Sequence, residues 1–471
     1  MNVLRTGAIS LLFPLGAALA APPDTDVIPA APHFDRLTQQ DKSTSAAGTF
    51  ISVNNAQLAE QPELATALLD QAVREGKWPM VEAILPVYEA SASADPTLIR
   101  FAKAGLARSK GDYDQAIAHY RAILSEHPEL DAVRLDMARA MFENHQYDTA
   151  EYQFRRVLQS NPPENIQAII GVYIERIQQG SDLTGRLSVS YLNDSNVNNA
   201  STSKTIRIGD RLFLRNKESF PQRGEGFWFN GALQKDVSLY NQHGLRFMGT
   251  VNGKSYWNNH DFDDITSRLY AGYQWRDYRQ QFALLPFYEK RWYGTEAYSS
   301  GPGVRAEYSY LLSPAWQISQ ALEYQKLHYD ADEYGFLRGY SRYSSTTLSH
   351  AFSNLVSAYA GVDIQDQQTA AKSETNQRTG VRGGVQVDLP WQISFSASTA
   401  FAKRHYQADS EIFSTRRKDN EQYYNLSLWH RDLYVFGVMP KLNFSYKRVD
   451  SNINFYDYHQ RNITLSLDKN F

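Results

Sequence analysis

The chain has 471 residues, and its 48 Lys and Arg against 51 Asp and Glu leave a net charge of -3, which does not point to a nucleic-acid partner. Cysteine is absent, which excludes disulfides, thiolate metal sites and a lipid-anchored cysteine together. Aromatic residues make up 13% of the chain, and a mean hydropathy of -0.51 fits a membrane protein only if it crosses by strands that give alternate residues to a polar lumen.

The chain begins MNVLRTGAISLLFPLGAALA, where Arg5 precedes a short apolar core from Ala8 to Leu15 and a small-x-small site ends at Ala20. This predicts a secretory signal over 1–20, and therefore an exported protein. Residues 21–57 are rich in Pro, Ala, Ser and Asp without a sustained period, and read as a flexible leader. No other stretch has the roughly 18 apolar residues that a spanning helix needs.

From 58 to 180 the period is helical. GDYDQAIAHYRAILSEHP superposes on HQYDTAEYQFRRVLQSNP, pairing Tyr113 with Tyr147, Ala116 with Ala150, Tyr120 with Phe154, Leu124 with Leu158 and Pro128 with Pro162. A spacing of about 34 residues, with a small residue where helices touch and an aromatic four later, resembles the tetratricopeptide repeat. REGKWPMVEAILPVYEA is a divergent third copy with Trp78 and Val81 at signature positions, and PENIQAIIGVYIERIQQ is expected to cap the stack. Such a solenoid presents a groove for a peptide segment. Tyr88, Tyr120 and Phe154 are expected in its core and are given no binding role.

From 181 to 471 the period is two. PWQISFSASTAF sets Trp391, Ile393, Phe395 and Phe401 on one face against Gln392, Ser394, Ser396 and Ser398, and the closing QRNITLSLDKNF sets Ile463, Leu465, Leu467 and Phe471 against Asn462, Thr464 and Ser466. Fourteen strands are predicted, near 184–193, 224–238, 243–257, 264–276, 280–292, 302–311, 315–328, 343–352, 355–366, 378–388, 391–405, 420–430, 433–448 and 461–471. Short turns at NQHG, DYRQ, LSPA, FSN, DLP and HRDL alternate with longer connections, including 293–301. The fold class is therefore an α-helical solenoid followed by an all-β transmembrane antiparallel barrel, with loops outside and turns in the periplasm. The last strand must pair with the first to remove both edges.

No catalytic constellation stands out. The His residues are scattered and HExxH is absent, so neither an enzyme, a metal nor a cofactor is implied. The carboxylates of DFDD at 261–264 and of DADEYGF at 330–336 are expected as solvated loop charges, and GPG at 301–303 as a loop-to-strand turn.

The tandem of periplasmic repeats and a fourteen-strand barrel resembles the surface lipoprotein assembly modulator family. The residues that carry the resemblance are YLNDSNVNNAS at 191–201 and the closing segment GVMPKLNFSYKRVDSNINFYDYHQRNITLSLDKNF, with a Pro inside the penultimate strand, Ser451 and Asn452 in the last loop, and the terminal Phe471. The resemblance implies an outer-membrane translocator that carries lipoproteins, or soluble relatives with a similar C-terminal barrel domain, from the periplasm to the cell surface. Its partners would be that cargo, the outer-membrane lipids, and the barrel insertion machinery reading the aromatic end of the last strand. Pro440 removes a ladder donor and Gly437 weakens packing nearby, so a soft seam between the last strands and the first is expected as a sideways exit. A bulge at Pro440 is the plainer alternative. An exopolysaccharide-export porin with periplasmic repeats is the rival reading, against which the visible lumen faces offer Ser, Gln and Asn rather than a one-signed track.

Overall fold

The computed structural model describes residues 58 and 61–470, apart from 180–182, 209–210, 217–218, 314, 354 and 434–436. The expected signal, nearly all of the leader, and Phe471 lie outside the described residues. Seven helices that lie wholly within the described residues come first: α1 (Pro62–Arg74), α2 (Trp78–Glu89), α3 (Pro96–Ser109), α4 (Tyr113–Glu126), α5 (Asp131–Glu143), α6 (Tyr147–Leu158) and α7 (Glu164–Gln179). Their starts follow from local chemistry. Asp95 caps α3 by accepting from the Thr97 amide at 2.8 Å with Pro96 in the first turn, and Asp112 caps α4 through Gln115. The repeat register survives in three dimensions: Ala116 and Ala150 are fully buried where α4 and α6 meet their neighbours, and Tyr120 and Phe154 join the same core. Tyr88 is also buried, with its hydroxyl accepting from the Asp95 amide at 2.9 Å.

The strands follow as β1 (Thr184–Asp194), a small hairpin of β2 (Thr205–Ile208) and β3 (Arg211–Leu214), then β4 (Gly224–Tyr240), β5 (His243–Tyr256), β6 (Asp264–Arg276), β7 (Gln280–Tyr293), β8 (Glu296–Ser313), β9 (Trp316–Tyr329), β10 (Gly339–Ser353), β11 (Val356–Thr369), β12 (Asn376–Asp388), β13 (Ile393–Asp409), β14 (Arg416–His430), β15 (Val438–Ser451) and β16 (Tyr458–Asn470). All but β2 and β3 form one closed antiparallel barrel of fourteen strands, in which β1 pairs with both β4 and β16. The period-two pattern is inside-out relative to a soluble sheet: Ile463, Leu465 and Leu467 of β16 are 65%, 57% and 51% exposed, on the wall that faces lipid.

Three expectations are corrected. The connection at 293–301 is a two-residue turn, Gly294–Thr295, both at positive φ, as tight hairpin turns require. GPG at 301–303 lies inside β8 rather than in a loop-to-strand turn. A Cβ on Gly301 would stand 1.8 Å from the Lys326 carbonyl oxygen, and one on Gly303 would enter the Phe287 ring, so these glycines permit close approach. Of DFDD, Asp261 is exposed as expected, but Asp263 and Asp264 are not solvated loop charges. Asp263 is buried, accepting from the Tyr256 amide at 2.6 Å and from Ser255, while Asp264 pairs with Arg291 at 2.6 Å. Asp332 of the second cluster is exposed, as expected, beside Arg338.

The helical domain docks at the end of the barrel that carries both barrel termini. Tyr278, in the β6–β7 turn, meets Tyr113 with ring centroids 4.9 Å apart, and Arg279 donates to the Lys110 carbonyl at 2.9 Å. Ser238 donates to Asp148 at 2.5 Å, and the Arg276 guanidinium lies over the Tyr147 ring at 5.3 Å.

Candidate functional site: lumen, seam and first loop

The lumen is laced by ion pairs over most of its circumference. On one wall Arg268 joins Glu289 and, at 3.1 Å, Glu323, which also takes Arg305 at 3.2 Å. On the other, Glu421 accepts from Arg378 at 2.7 Å and Arg404 at 2.8 Å, while Arg382 reaches Asp363 at 2.9 Å. Each bridge ties together strands that are adjacent or up to three apart; the carboxylates and Arg378, Arg382 and Arg404 are nearly excluded from solvent, while Arg268 and Arg305 are partly exposed. The sequence reading of a Ser, Gln and Asn lumen missed these pairs, because each partner sits on a different strand and looks, alone, like another polar residue at the right parity.

The arc from β14 to β1 is different. Its luminal face carries Ser427, Asn443, Ser445, Thr464, Ser466, Ser188 and Ser190, joined by neutral hydrogen bonds such as Ser427 to Asn443 at 2.6 Å and Asn443 to Ser466 at 2.9 Å. Its charged groups include Asp468, which takes Lys441 at 2.8 Å and Ser188 at 2.6 Å, and Lys447, which lies over the Tyr423 ring at 5.4 Å. The Ser188 side chain thus bonds across from β1 to β16.

That closure is also the shortest ladder of the barrel. Among the described residues β1 and β16 match at five positions, from Arg186 opposite Asn470 to Ser190 opposite Ser466, whereas every other neighbouring pair matches at eleven or more. Beyond Ser190 the ladder partners of β1 are on β4 alone, so among the described residues the edge of β16 from Tyr458 to Leu465 has no ladder partner on β1. Part of that edge lies at the level of lipid-facing Ile463 and Leu465, where unpaired backbone is costly.

The gap is filled by the first loop. Residues 196–198, 200 and 201 are buried although they belong to a surface connection. Asn196 receives the Ala200 amide at 2.8 Å and donates to its carbonyl at 2.9 Å, Asn198 bonds the backbone of Phe220 and Gln222, and Val197 packs on Tyr256 and Leu192. Tyr256 donates to buried Asp194 at 3.2 Å, and Gln460 of β16 donates to the Asn196 carbonyl at 2.8 Å. The stretch YLNDSNVNNAS thus folds inward as a polar knot at the extracellular mouth, beside the open half of the seam.

The residues singled out from sequence fall at two ends. Gly437, at φ +79°, and Pro440 are periplasmic, and Pro440 stands opposite Leu467 of β16 at the point where pairing of β15 with β14 begins, at Lys441. Ser451 and Asn452 are extracellular. Asn452 accepts from the Lys418 amide at 2.7 Å and donates to the Arg416 carbonyl at 2.9 Å, fastening the last loop to β14. Phe471 lies outside the described residues.

Residues 184–471 match the family model described as surface lipoprotein assembly modifier, and residues 51–154 match the model of that family's N-terminal TPR repeats. The chain is similar to the surface lipoprotein assembly modifier of Pasteurella multocida, at 31% identity over 95% of this chain and 92% of the relative. It is also similar to surface lipoprotein assembly modifier 1 of Haemophilus influenzae, at 30% over 89% and 87%, and to the hemophilin secretion modulator of Acinetobacter baumannii, at 25% over 87% and 86%. Among solved structures, a FadL homologue of Pseudomonas aeruginosa aligns at 10% identity and TM-score 0.39 over 61% of this chain and 90% of its own. The two family models together cover most of the repeats and the whole barrel, and the chain belongs to the surface lipoprotein assembly modifier family.

Proposed function

We propose that this chain is an outer-membrane translocator that delivers specific lipoproteins, or soluble proteins related to them, from the periplasm to the cell surface. The observation that carries the reading is a closed barrel whose β1–β16 ladder is short and half-open, with a repeat domain docked at its periplasmic end. The reading is one of transport rather than catalysis. The repeats capture cargo, and the barrel passes it to the far side of the membrane.

The seam gives a lipidated cargo a sideways route. A lipid anchor cannot cross a lumen lined with ion pairs without desolvating them, but it can follow the bilayer past a parted β1 and β16. Gly437 and Pro440 contribute by leaving the periplasmic end of β15 lightly joined to β14. An export signal over 1–20 brings the chain to the periplasm, and the last strand, through Phe471, addresses it to the barrel insertion machinery.

Surface-shaving proteomics on cells with and without this gene, extended to the culture medium and paired with a polysaccharide stain, tests the reading. Loss of one or a few exported proteins with sugar unchanged is expected. Lost polysaccharide with an unchanged protein surface would instead establish an exopolysaccharide exporter, and no change in either would leave a diffusion porin.

A further inference from the structure

The lipid-facing wall of β13–β16 changes character at one level. Phe401, Tyr424 and Tyr446 form a row with ring centroids 5.8 and 6.1 Å apart, the kind of girdle that marks a membrane interface. At that row and toward its extracellular side every one of the four strands presents cations. They are Lys403 and His405 on β13, Arg416 and Lys418 on β14, Arg448 on β15, and His459 and Arg461 on β16, all exposed.

The register brings them together. His405 stands directly opposite Lys418, Arg448 opposite His459, and Arg461 opposite Tyr446, whose ring its guanidinium overlies at 5.6 Å. Three carboxylates share the face: Asp450 takes Arg448 at 2.7 Å, Asp409 takes Arg416 at 3.5 Å, and Asp457 lies near Arg448 and His459. Among the described residues no carboxylate lies within salt-bridge distance of Lys403, Lys418 or Arg461. Elsewhere the outward cations of the rim are sparser, and two of them come with acids, Lys290 with Asp330 at 2.8 Å and Arg342 opposite Asp366.

Basic side chains set directly across an antiparallel pair repel one another once charged, and the sheet gains nothing from them by itself. An anion between them reverses the sign. Phosphate suits the set, because guanidinium and ammonium donors are its usual ligands in proteins. The residues beneath decide what the phosphate is attached to: Phe401, Phe444, Ile463 and Leu465 form an exposed apolar wall on the membrane side of the cations. A soluble phosphate or an acidic protein segment would leave that wall unused.

We propose that the outer face of β13–β16 is a binding site for a phosphorylated lipid of the outer leaflet, its headgroup held by Lys403, Lys418 and Arg461 and its acyl chains lying on Phe444, Ile463 and Leu465. The site adjoins the open half of the β1–β16 seam, so the bound lipid borders the proposed exit. It stands whatever the cargo proves to be.

Native mass spectrometry of the full-length protein in a neutral detergent tests this, with bis-phosphorylated lipid A as probe and its dephosphorylated form as comparator. The wild type is expected to retain the phosphorylated form about tenfold better. Lys403→Gln/Lys418→Gln/Arg461→Gln should bring that preference below about twofold, while Lys326→Gln/Arg342→Gln on the opposite wall keeps it. The heat-dependent gel shift of an intact barrel confirms folding, and the double variant Lys403→Gln/Lys418→Gln serves if the triple one does not fold. Equal retention of both lipids by the wild type would overturn the proposal. So would an equal loss in both sets of variants, which would mean diffuse attraction without a site.

Discussion

The Gln460 side-chain amide donates to the Asn196 carbonyl oxygen at 2.8 Å, so the last strand holds the first loop across the half of the seam that the β1–β16 ladder does not reach. Plug and seam are therefore one device. Gln460→Ala removes a single hydrogen bond, worth about 1 kcal/mol, and is expected to leave the barrel folded while loosening the loop. Single-channel conductance in planar bilayers should rise and become noisy, and Asn196→Ala, which loses two further bonds, should do so more strongly.

A covalent seam should stop delivery. Ser190 and Ser466 are directly opposed in the β1–β16 ladder, at a separation that antiparallel partners bring within disulfide reach. In a chain without cysteine, Ser190→Cys/Ser466→Cys gives one defined cross-link. Surface display of cargo should fall when the pair is oxidised and recover with reductant. Undiminished display by the oxidised form would rule out exit between these strands.

The ion pairs of the lumen should matter for stability in proportion to what they leave behind. Glu421→Gln removes the carboxylate charge that Arg378 and Arg404 share, and is expected to cost about 3 kcal/mol, the lower end of the range for a broken buried pair because other partners and lumen water take up the remainder. Ser188→Ala, at the seam, should cost about 1 kcal/mol or less. Urea unfolding of the detergent-solubilised protein, followed by the gel shift, reads both.

Docking of the repeats rests on few contacts, so it should be easy to release. Tyr278→Ala/Arg279→Ala removes the ring contact with Tyr113, worth about 1 kcal/mol, and the bond to the Lys110 carbonyl. Spin labels at Ala118→Cys and Glu411→Cys should report a narrow distance distribution in the parent and a broad one in the variant. Cargo display should fall with it, while the barrel gel shift stays unchanged.

Much of this architecture was legible in the sequence, for two physical reasons. Period two on a lipid-facing wall is unforgiving, since a single slip puts Asn462 or Ser466 into hydrocarbon, and a repeat must keep Ala116 and Ala150 small where its helices touch. What stayed hidden depends on contacts between distant positions. Gly301-Pro302-Gly303 reads as a turn by composition, yet serves the approach of Lys326 and Phe287. Asp263 reads as a loop charge until the Tyr256 amide is seen to donate to it. The seam was expected from Pro440 and Gly437, but its most telling feature is a ladder between β1 and β16 that stops at Ser190, and ladder length is a property of two strands far apart in the chain.

The uneven distribution of ion pairs around the lumen has a mechanical consequence. A cylinder stiffened by cross-braces over one arc and lightly stitched over another does not dilate evenly under load. It flexes like a clasp, with the braced arc moving as a single shell and the strain gathering at the stitched line. Admitting one extra extended segment there widens the circumference by about 4.8 Å, one strand spacing, and asks almost nothing of Arg268, Arg382 or Glu421.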